Sequence, residues 1–266
     1  LLLEADYSAI EAVLSAYFAQ WKDGIRLAKL GVHAYLASFV LDRPADLAWS
    51  DEALAAYFKE IKKSTDPNII HTYMSCKRTV HLSNYGGTPQ KMVMAEPDTF
   101  KTVGYAKWLQ DMYFEVASPI RKWQLATQLQ AEKEGCLRNP YGYKHSFNHV
   151  FCYTKDNGFW ERKPGDDANA ALAFLPQSTA AAIIKDAMLT LYYNYFEEAG
   201  QYMRLQVHDS LVSEVPIREL DRVRELKTHI MTSPIARLPL PNNWNMGPFL
   251  SIGVDSKSGQ RWGSLK

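Results

Sequence analysis

Cysteine is scarce in this chain, and its few copies lie far apart. Cys76, Cys136 and Cys152 form no CxxC pair, so the sequence predicts neither a disulfide framework nor a thiolate zinc site. Glycine and proline are also few, at 14 and 13 of 266 residues, which excludes collagen-like and mucin-like chains. We therefore expect an ordinary globular protein of a reducing, intracellular compartment.

Long hydrophobic runs and a strong net charge are absent as well. No apolar run approaches the ~18 residues that a membrane helix needs, so we predict no membrane partner. The net charge is +1, from 30 Lys plus Arg and 29 Asp plus Glu. This balance excludes a wholly basic nucleic-acid coat, but it leaves open a basic groove offset by acidic surface elsewhere. The hydrophobic content of 47% excludes intrinsic disorder.

The period of the hydrophobic pattern changes along the chain. Leu1–Asp6 is typical of a strand, and helical spacing then runs from Ile10 to about residue 135. The later part predicts a long helix, a hairpin, a shorter helix and a last strand, at Pro176–Glu198, Met203–Val215, Arg218–Met231 and Phe249–Val254. Strands at both ends with helices between them predict an α+β fold, in which an antiparallel sheet carries a helical insertion.

The first strand begins without a cap, a turn or a polar lead-in. We expect that a segment upstream is missing, so that the chain is a fragment, a processed product or one half of a split protein. A strand without its neighbour leaves backbone donors and acceptors unpaired. Leu1–Leu3 is therefore the expected docking edge for an upstream segment or partner chain.

Two aspartates, Asp6 and Asp209, each follow a short apolar strand. A carboxylate in such a place is costly unless it is paired or binds a metal. Two carboxylates from adjacent strands that bridge a pair of divalent cations would suit phosphoryl or nucleotidyl transfer, and oxygen ligands indicate Mg²⁺. Taken singly, each aspartate is better explained as a turn or cap residue.

The residues around Asp6 resemble the first palm motif of family A DNA polymerases, Asp-Tyr-Ser-Gln-Ile-Glu. Five of the six positions match, from Asp6 and Tyr7 to Glu11, and Ala9 replaces Gln. The resemblance implies that Asp6 binds both metal ions, that Tyr7 belongs to the nucleotide site, and that Glu11 is a steric gate. A carboxylate beside the sugar would disfavour a ribose 2′-hydroxyl.

A second resemblance lies on the predicted helix that carries Lys77, His81 and Tyr85. Their spacing by four places a cation and two rings on one stripe, which is also typical of a solvated helix face. The stripe is similar to the family's fingers motif. The resemblance implies that Lys77 grips the incoming triphosphate, that His81 faces the sugar, and that Tyr85 closes over the nascent pair. Tyr73 stands where the motif has Arg.

Further segments resemble parts of the same family that contact DNA. His208-Asp209 looks like the third motif, in which Asp completes the metal pair and His approaches the primer terminus, although Ser210 replaces Glu. Gln177 matches a Gln that reads the minor groove, where an amide can check pair geometry. The segment Leu137–Tyr143 also looks like a family segment, and we assign Arg138 within it and Lys144 directly after it to DNA contacts. Asn169 falls where the family has a DNA-contacting Arg.

These resemblances predict a right-hand polymerase fold that lacks the thumb, with palm at 1–18 and 138–266 and fingers at 19–137. The implied activity is template-directed addition of dNTPs to a primer 3′-hydroxyl on primer-template DNA, with two Mg²⁺ ions as cofactors. An upstream chain would supply a thumb or exonuclease. Two alternatives stay open: a single-subunit RNA polymerase-like enzyme, which Ser210 favours, and a non-catalytic fragment that binds nucleic acid or a partner chain, which Tyr73 and Asn169 favour.

Overall fold

The computed structural model of the protein describes residues 1–156 and 159–265. These residues form two compact units, which we call the sheet unit and the helical unit. The sheet unit comprises Leu1–Glu11, Asn139–Tyr143 and Gln177–Lys266, and the helical unit comprises Ala12–Arg138 and Lys144–Pro176. The fold is thus a mixture of helices and antiparallel sheet, as the sequence predicts.

The strands and helices follow one another in an order close to the predicted one. The strands are β1 Leu2–Tyr7, β2 Cys136–Arg138, β3 Lys144–Ser146, β4 Phe151–Asp156, β5 Phe159–Pro164, β6 Met203–Val207, β7 Ser210–Glu214 and β8 Val254–Gly259. The helices are α1 Ile10–Phe18, α2 Lys22–Leu30, α3 Val32–Val40, α4 Asp51–Lys62, α5 Pro67–Asn84, α6 Pro89–Ala95, α7 Val103–Val116, α8 Ser118–Glu134, α9 Ala168–Asn194 and α10 Leu220–Thr232.

A four-stranded sheet in the order β6-β7-β1-β8 organises the sheet unit. β1 pairs antiparallel with β7 on one side and with β8 on the other. The expectation that Leu1–Leu3 forms an unpaired docking edge is therefore wrong, because both neighbours of this strand come from the C-terminal part of the same chain. Along β1, Leu3, Ala5 and Tyr7 are buried and Leu2, Glu4 and Asp6 are half-buried, so one face of the strand packs inward and the other reaches the surface.

The helical unit packs α2 to α8 around an apolar core. Its largest fully buried side chains include Tyr113, Phe58 and Phe100. Three hydrogen bonds join polar groups inside the core: Tyr113 Oη donates to Asn84 Oδ1 at 2.5 Å, and Gln124 Nε2 donates to the carbonyl oxygens of Ser83 and Asn84 at 2.6 and 3.0 Å. These bonds fix the C-terminal end of α5 against α7 and α8, since a buried donor or acceptor left unpaired is costly.

The predicted bounds of two elements are wrong. The long helix α9 begins at Ala168 and holds Pro176 inside it, because Ala171, Phe174 and Leu175 pack in a small apolar core whose burial outweighs the hydrogen bond that proline removes. The last strand lies at Val254–Gly259 and not at Phe249–Val254. This strand is polar and forms by pairing with β1, so its hydrophobicity did not reveal it.

The units also divide the chain differently from the predicted domains. Residues 12–18 and 144–176 belong to the helical unit, whereas the sequence assigned both stretches to the same part as the sheet. Lys266, the last residue of the predicted range, lies outside the described residues. Within the described part of the chain, no helix has the length and apolar character that crossing a membrane requires.

Candidate active site

The antiparallel register brings Asp6 beside Asp209 in the sheet unit. Asp6 of β1 is opposite Ser210 of β7, and Asp209 directly precedes Ser210 in the turn that joins β6 to β7. The backbone N–H of Tyr7 donates to the carbonyl oxygen of Asp209 at 3.2 Å, and the two carboxyl groups themselves share a hydrogen bond. The structure thus brings together the two residues that the sequence proposed as metal ligands.

The turn that carries Asp209 adopts a backbone conformation that is unusual for its sequence. His208 has a φ of 51°, in the left-handed region that glycine usually occupies in a two-residue hairpin turn. Gln206 Nε2 donates to the carbonyl oxygen of His208 at 2.5 Å and so stabilises the turn. A histidine at such a φ costs on the order of 1 kcal/mol, and strain of this kind is concentrated at functional sites.

Electrostatics set Asp6 apart from the other carboxylates. Its pKa is raised to about 6, first by burial and then by the negative charges of Asp209, Glu4 and Asp255. Asp255 of β8 is opposite Asp6 in register, and its Oδ2 accepts a hydrogen bond from Ser8 Oγ at 2.9 Å. Carboxylates that repel one another in this way are stabilised by a bound cation.

The donor set fits Mg²⁺ in its chemistry. Among the described residues, no group of three or more His, Cys, Asp or Glu side chains is arranged to hold a metal ion, so the protein offers a carboxylate pair and not a cage. Mg²⁺ is commonly bound by one or two carboxylates, with waters and substrate phosphates as its other ligands. The pair of Asp6 and Asp209 has the donor atoms of such a site.

Tyr7 and Glu11, the other two residues of the first motif, occupy different environments. The Tyr7 side chain is 3% exposed and lies on the face of β1 opposite to Asp6. It lines a cavity of about 220 Å³ with Tyr141 and Asp186, and burial raises its pKa. Glu11 is half-buried in the first turn of α1. The structure therefore separates the Tyr7 ring from the aspartate pair by the thickness of the sheet.

The predicted stripe lies on α5 of the helical unit. Lys77 and His81 are exposed on this helix, and Tyr85 caps its C-terminus with its ring centroid 5.6 Å from that of His81. His33 of α3, which sequence reasoning missed, is near Lys77 and His81. Its pKa is lowered to about 4, first by burial and then by the charges of Lys77, His81 and Lys62. With this pKa, His33 is neutral at pH 7 and can donate a ring N–H, and such a donor near the charge of Lys77 favours an anionic ligand.

Gly86, which follows Tyr85, lets the side chain of Asn169 approach the backbone closely. It has a φ of 74°, and a Cβ built there would lie 2.6 Å from Asn169 Oδ1, so only glycine fits both the backbone and the space. Asn169, which stands in place of an expected arginine, thus has a packing role beside the end of α5. Tyr73, the other departure, is half-buried on α5 with its ring 6.3 Å from that of His33.

The residues assigned to DNA contacts are all exposed. Gln177 and His208 lie in the sheet unit, and Arg138 and Lys144 lie in the helical unit. Arg138 of β2 is directly opposite Lys144 of β3.

Lys227 of α10 is a buried lysine that sequence reasoning missed. It is fully buried, and its Nζ donates to the carbonyl oxygens of Leu211 and Leu3 at 2.7 and 3.4 Å and to Ser213 Oγ at 3.0 Å. Desolvation lowers its pKa to about 7. Because these partners lie on β1 and β7, Lys227 ties together the two strands that position Asp6 and Asp209. Nothing in the local sequence distinguishes it from a surface lysine on an amphipathic helix.

Comparison with known proteins places these features in a family. The profile of DNA polymerase family A matches residues 75–264. The thermostable DNA polymerase I of Thermus aquaticus is 26% identical over 234 residues, which are 87% of this chain and 24% of that protein. The chloroplastic and mitochondrial DNA polymerase I A of Arabidopsis thaliana is 21% identical over 271 residues, or 100% of this chain and 24% of that protein.

A solved structure has a similar fold. The POL domain of Pol1 from M. smegmatis, in complex with DNA primer-template and dNTP, is matched with a TM-score of 0.69 at 22% sequence identity. The match covers 98% of this chain and 40% of that chain. The present chain thus corresponds to about a quarter of the length of its curated relatives.

Proposed function

The chain belongs to DNA polymerase family A, and on that premise we propose that it acts as a DNA-directed DNA polymerase. The proposed reaction is the attack of a primer 3′-hydroxyl on the α-phosphate of a template-selected dNTP, with release of pyrophosphate. The contact between the carboxyl groups of Asp6 and Asp209 carries the proposal, because nucleotidyl transfer by this chemistry needs two carboxylates held at one point.

We propose that Asp6 and Asp209 hold two Mg²⁺ ions. When bound, these ions supply activation of the attacking oxygen and charge neutralisation at the leaving group. The protein's own part is to fix the carboxylates by the register of β1 and β7, by the bond from Tyr7 N–H to the Asp209 carbonyl and by the buried Lys227 beneath both strands. A pre-positioned pair needs no reorganisation during the reaction.

We assign the sheet unit to the palm and the helical unit to the fingers. In the fingers, Lys77 would bind the triphosphate, His81 would lie beside the sugar and Tyr85 beside the base. The proximity of Lys77 and His81 to His33 supports an anion site on this surface. In the palm, Glu11 would exclude the ribose 2′-hydroxyl and Tyr7 would support the nucleotide site from within the sheet. Gln177, His208, Arg138 and Lys144 would contact the primer-template.

One observation favours a second function, that of a single-subunit RNA polymerase. Ser210 stands where the DNA polymerase motif has Glu, and its Oγ donates to Val207 O at 3.1 Å and to Glu4 Oε1 at 3.3 Å. The serine is thus held within the sheet beside the aspartate pair. Tyr7 and Glu11 oppose this function, because the acidic gate belongs to the DNA polymerase pattern.

Primer extension separates the functions. The purified chain is incubated with a labelled primer-template, Mg²⁺ and either dNTPs or NTPs, with EDTA as the control. Extension with dNTPs supports the proposal, whereas preferential extension with NTPs supports the RNA polymerase. Binding of primer-template without extension under either condition would indicate a non-catalytic fragment. The role of an upstream segment that supplies a thumb stays a prediction from the sequence.

A further inference from the structure

The hairpin of β4 and β5 in the helical unit exposes large aromatic rings. It forms a separate two-stranded sheet, and Tyr153, Phe159 and Trp160 are 60%, 80% and 71% exposed. An isolated two-stranded hairpin is marginally stable in water, and exposed rings on it bury no core. Clustered apolar side chains of this kind indicate a binding surface.

The strand register sorts the side chains of this hairpin onto two faces. Phe151 is opposite Pro164, Tyr153 is opposite Arg162, and Lys155 is opposite Trp160. Residues directly opposite each other share a face, and successive residues alternate between faces. One face therefore carries Phe151, Tyr153, Lys155, Trp160 and Arg162, and we call it the aromatic–basic face. The Arg162 guanidinium carbon lies 4.4 Å from the centroid of the Phe151 ring, as a shared face requires.

The opposite face has a different character. It carries Cys152, Thr154, Phe159, Glu161 and Lys163, and Lys163 Nζ lies 3.1 Å from Glu161 Oε2. Glu161 is the acidic residue among the side chains of these strands that the structure describes. It thus lies on the face opposite to the aromatic–basic face, and it neutralises Lys163 there. Aromatic rings and cations are concentrated on one side of the hairpin.

The base of the hairpin is anchored. Phe151 packs against the small core of Ala131, Leu137, Phe147, Val150 and Ala171. Tyr153 and Trp160 are diagonal neighbours in the register further along the strands. The anchored base holds these two rings on a defined strand pair, and they remain open to solvent.

We propose that the aromatic–basic face binds single-stranded nucleic acid. Unpaired bases stack on aromatic side chains whatever their sequence, and flanking cations neutralise the backbone phosphates. A duplex is a poorer ligand, because its base faces are stacked on one another and cannot reach the rings. Identifying the bound strand as unpaired template DNA rests on the proposed polymerase function, whereas the binding itself does not.

The first test measures stacking. Anisotropy of a fluorescein-labelled oligo(dT) of about 20 nucleotides is recorded with the full chain in EDTA, where no synthesis occurs. The double variant Tyr153→Ala/Trp160→Ala is expected to bind roughly tenfold or more weakly. Phe159→Ala, which removes an exposed ring from the opposite face of the same hairpin, should retain the wild-type Kd. Unchanged circular dichroism in both variants shows that the fold is intact.

The second test measures charge. Arg162→Gln should lower the slope of log Kd against log salt by about 0.7, the value for one lost phosphate contact on a single strand. Lys163→Gln, which changes the adjacent cation on the opposite face, should leave the slope unchanged. Equal slopes in the two variants would contradict the assignment of the face.

Other outcomes would overturn the inference. The first is that oligo(dT) shows no measurable binding. The second is that the double variant and Phe159→Ala lose the same amount of affinity for oligo(dT). The third is self-association that the double variant abolishes, which would make the face an interface between copies. Tighter binding of oligo(U) than of oligo(dT) would overturn the assignment to template DNA. Because the titrations need no turnover, a chain that fails to extend a primer but passes both tests overturns only the proposed function.

Discussion

The carboxyl groups of Asp6 and Asp209 form a hydrogen-bonded pair, although they come from opposite ends of the chain. The pair exists because β1, the first strand, is inserted between β7 and β8. Burial and the neighbouring carboxylates raise the pKa of Asp6 to about 6. Above that pH Asp6 loses the proton that the hydrogen bond needs, and a divalent cation would then offset the negative charge of the pair.

Asp6→Asn and Asp209→Asn should each lower nucleotide incorporation by on the order of a thousandfold, since each removes a metal ligand that contributes several kcal/mol. Affinity for primer-template should be unchanged or higher, because a negative charge is lost. Primer extension and anisotropy measure the two properties. Asp221→Asn, in an exposed ion pair with Arg224, is the matched control. Substantial Mg²⁺-dependent extension by either variant would contradict the metal-pair assignment.

Glu11→Ala should raise the use of NTPs relative to dNTPs by about tenfold, because the gate that disfavours the 2′-hydroxyl is removed. The measurement is the ratio of kcat/KM for a matched NTP and dNTP. Glu115→Ala, which alters an exposed glutamate of α7, should leave the ratio unchanged. A ratio that stays at its wild-type value in Glu11→Ala would remove Glu11 from the sugar site.

Lys77→Ala should lower kcat/KM for dNTP by roughly ten- to hundredfold, because a charged hydrogen bond to the triphosphate is lost. The effect should fall on nucleotide Kd as well as on the chemical step, whereas affinity for primer-template should not change. Lys59→Ala on α4 is the control, since this lysine is exposed and outside the cluster of Lys77, His81 and His33. Wild-type nucleotide affinity in Lys77→Ala would contradict the role.

Lys227 should make stability depend on alkaline pH. Desolvation lowers its folded-state pKa to about 7, and Glu4 is the charged neighbour that opposes the shift. The unfolded chain therefore binds more protons than the folded one between pH 7 and the ordinary lysine pKa, and stability rises with pH through this range. We expect wild type to gain roughly 3 kcal/mol between pH 7 and 9.5 relative to Lys227→Met.

Urea unfolding at several pH values measures this difference. Lys122→Met, at an exposed position of α8, should show the wild-type pH dependence, because an exposed lysine titrates alike in both states. If Lys227→Met and wild type have parallel pH profiles, the buried amine is not neutral in the folded protein above pH 7.

The local elements that carry the motifs were predictable from short-range patterns. The strand before Asp6, the helix with Lys77 and His81, and the hairpin around His208 and Asp209 were all predicted near their observed positions. Each has a clear period of two or of about 3.6 in its hydrophobic residues, or a turn between two alternating strands. Elements whose stability comes from distant partners were predicted at the wrong positions. Strand β8 is polar and forms through its pairing with β1. Helix α9 extends through Pro176 because its first turns are buried.

The sequence by itself determined which residues are candidates for the chemistry, because motif spacing is a property of one strand or helix at a time. Only the tertiary structure decided which of them meet. Strand order places β1 between its neighbours and so brings Asp6 next to Asp209. Burial beneath the sheet lets Lys227 bind the strands by hydrogen bonds. The register of β4 and β5 places Tyr153, Trp160 and Arg162 on one face. Pairing and burial depend on residues far apart in the chain, and local periodicity contains no information about them.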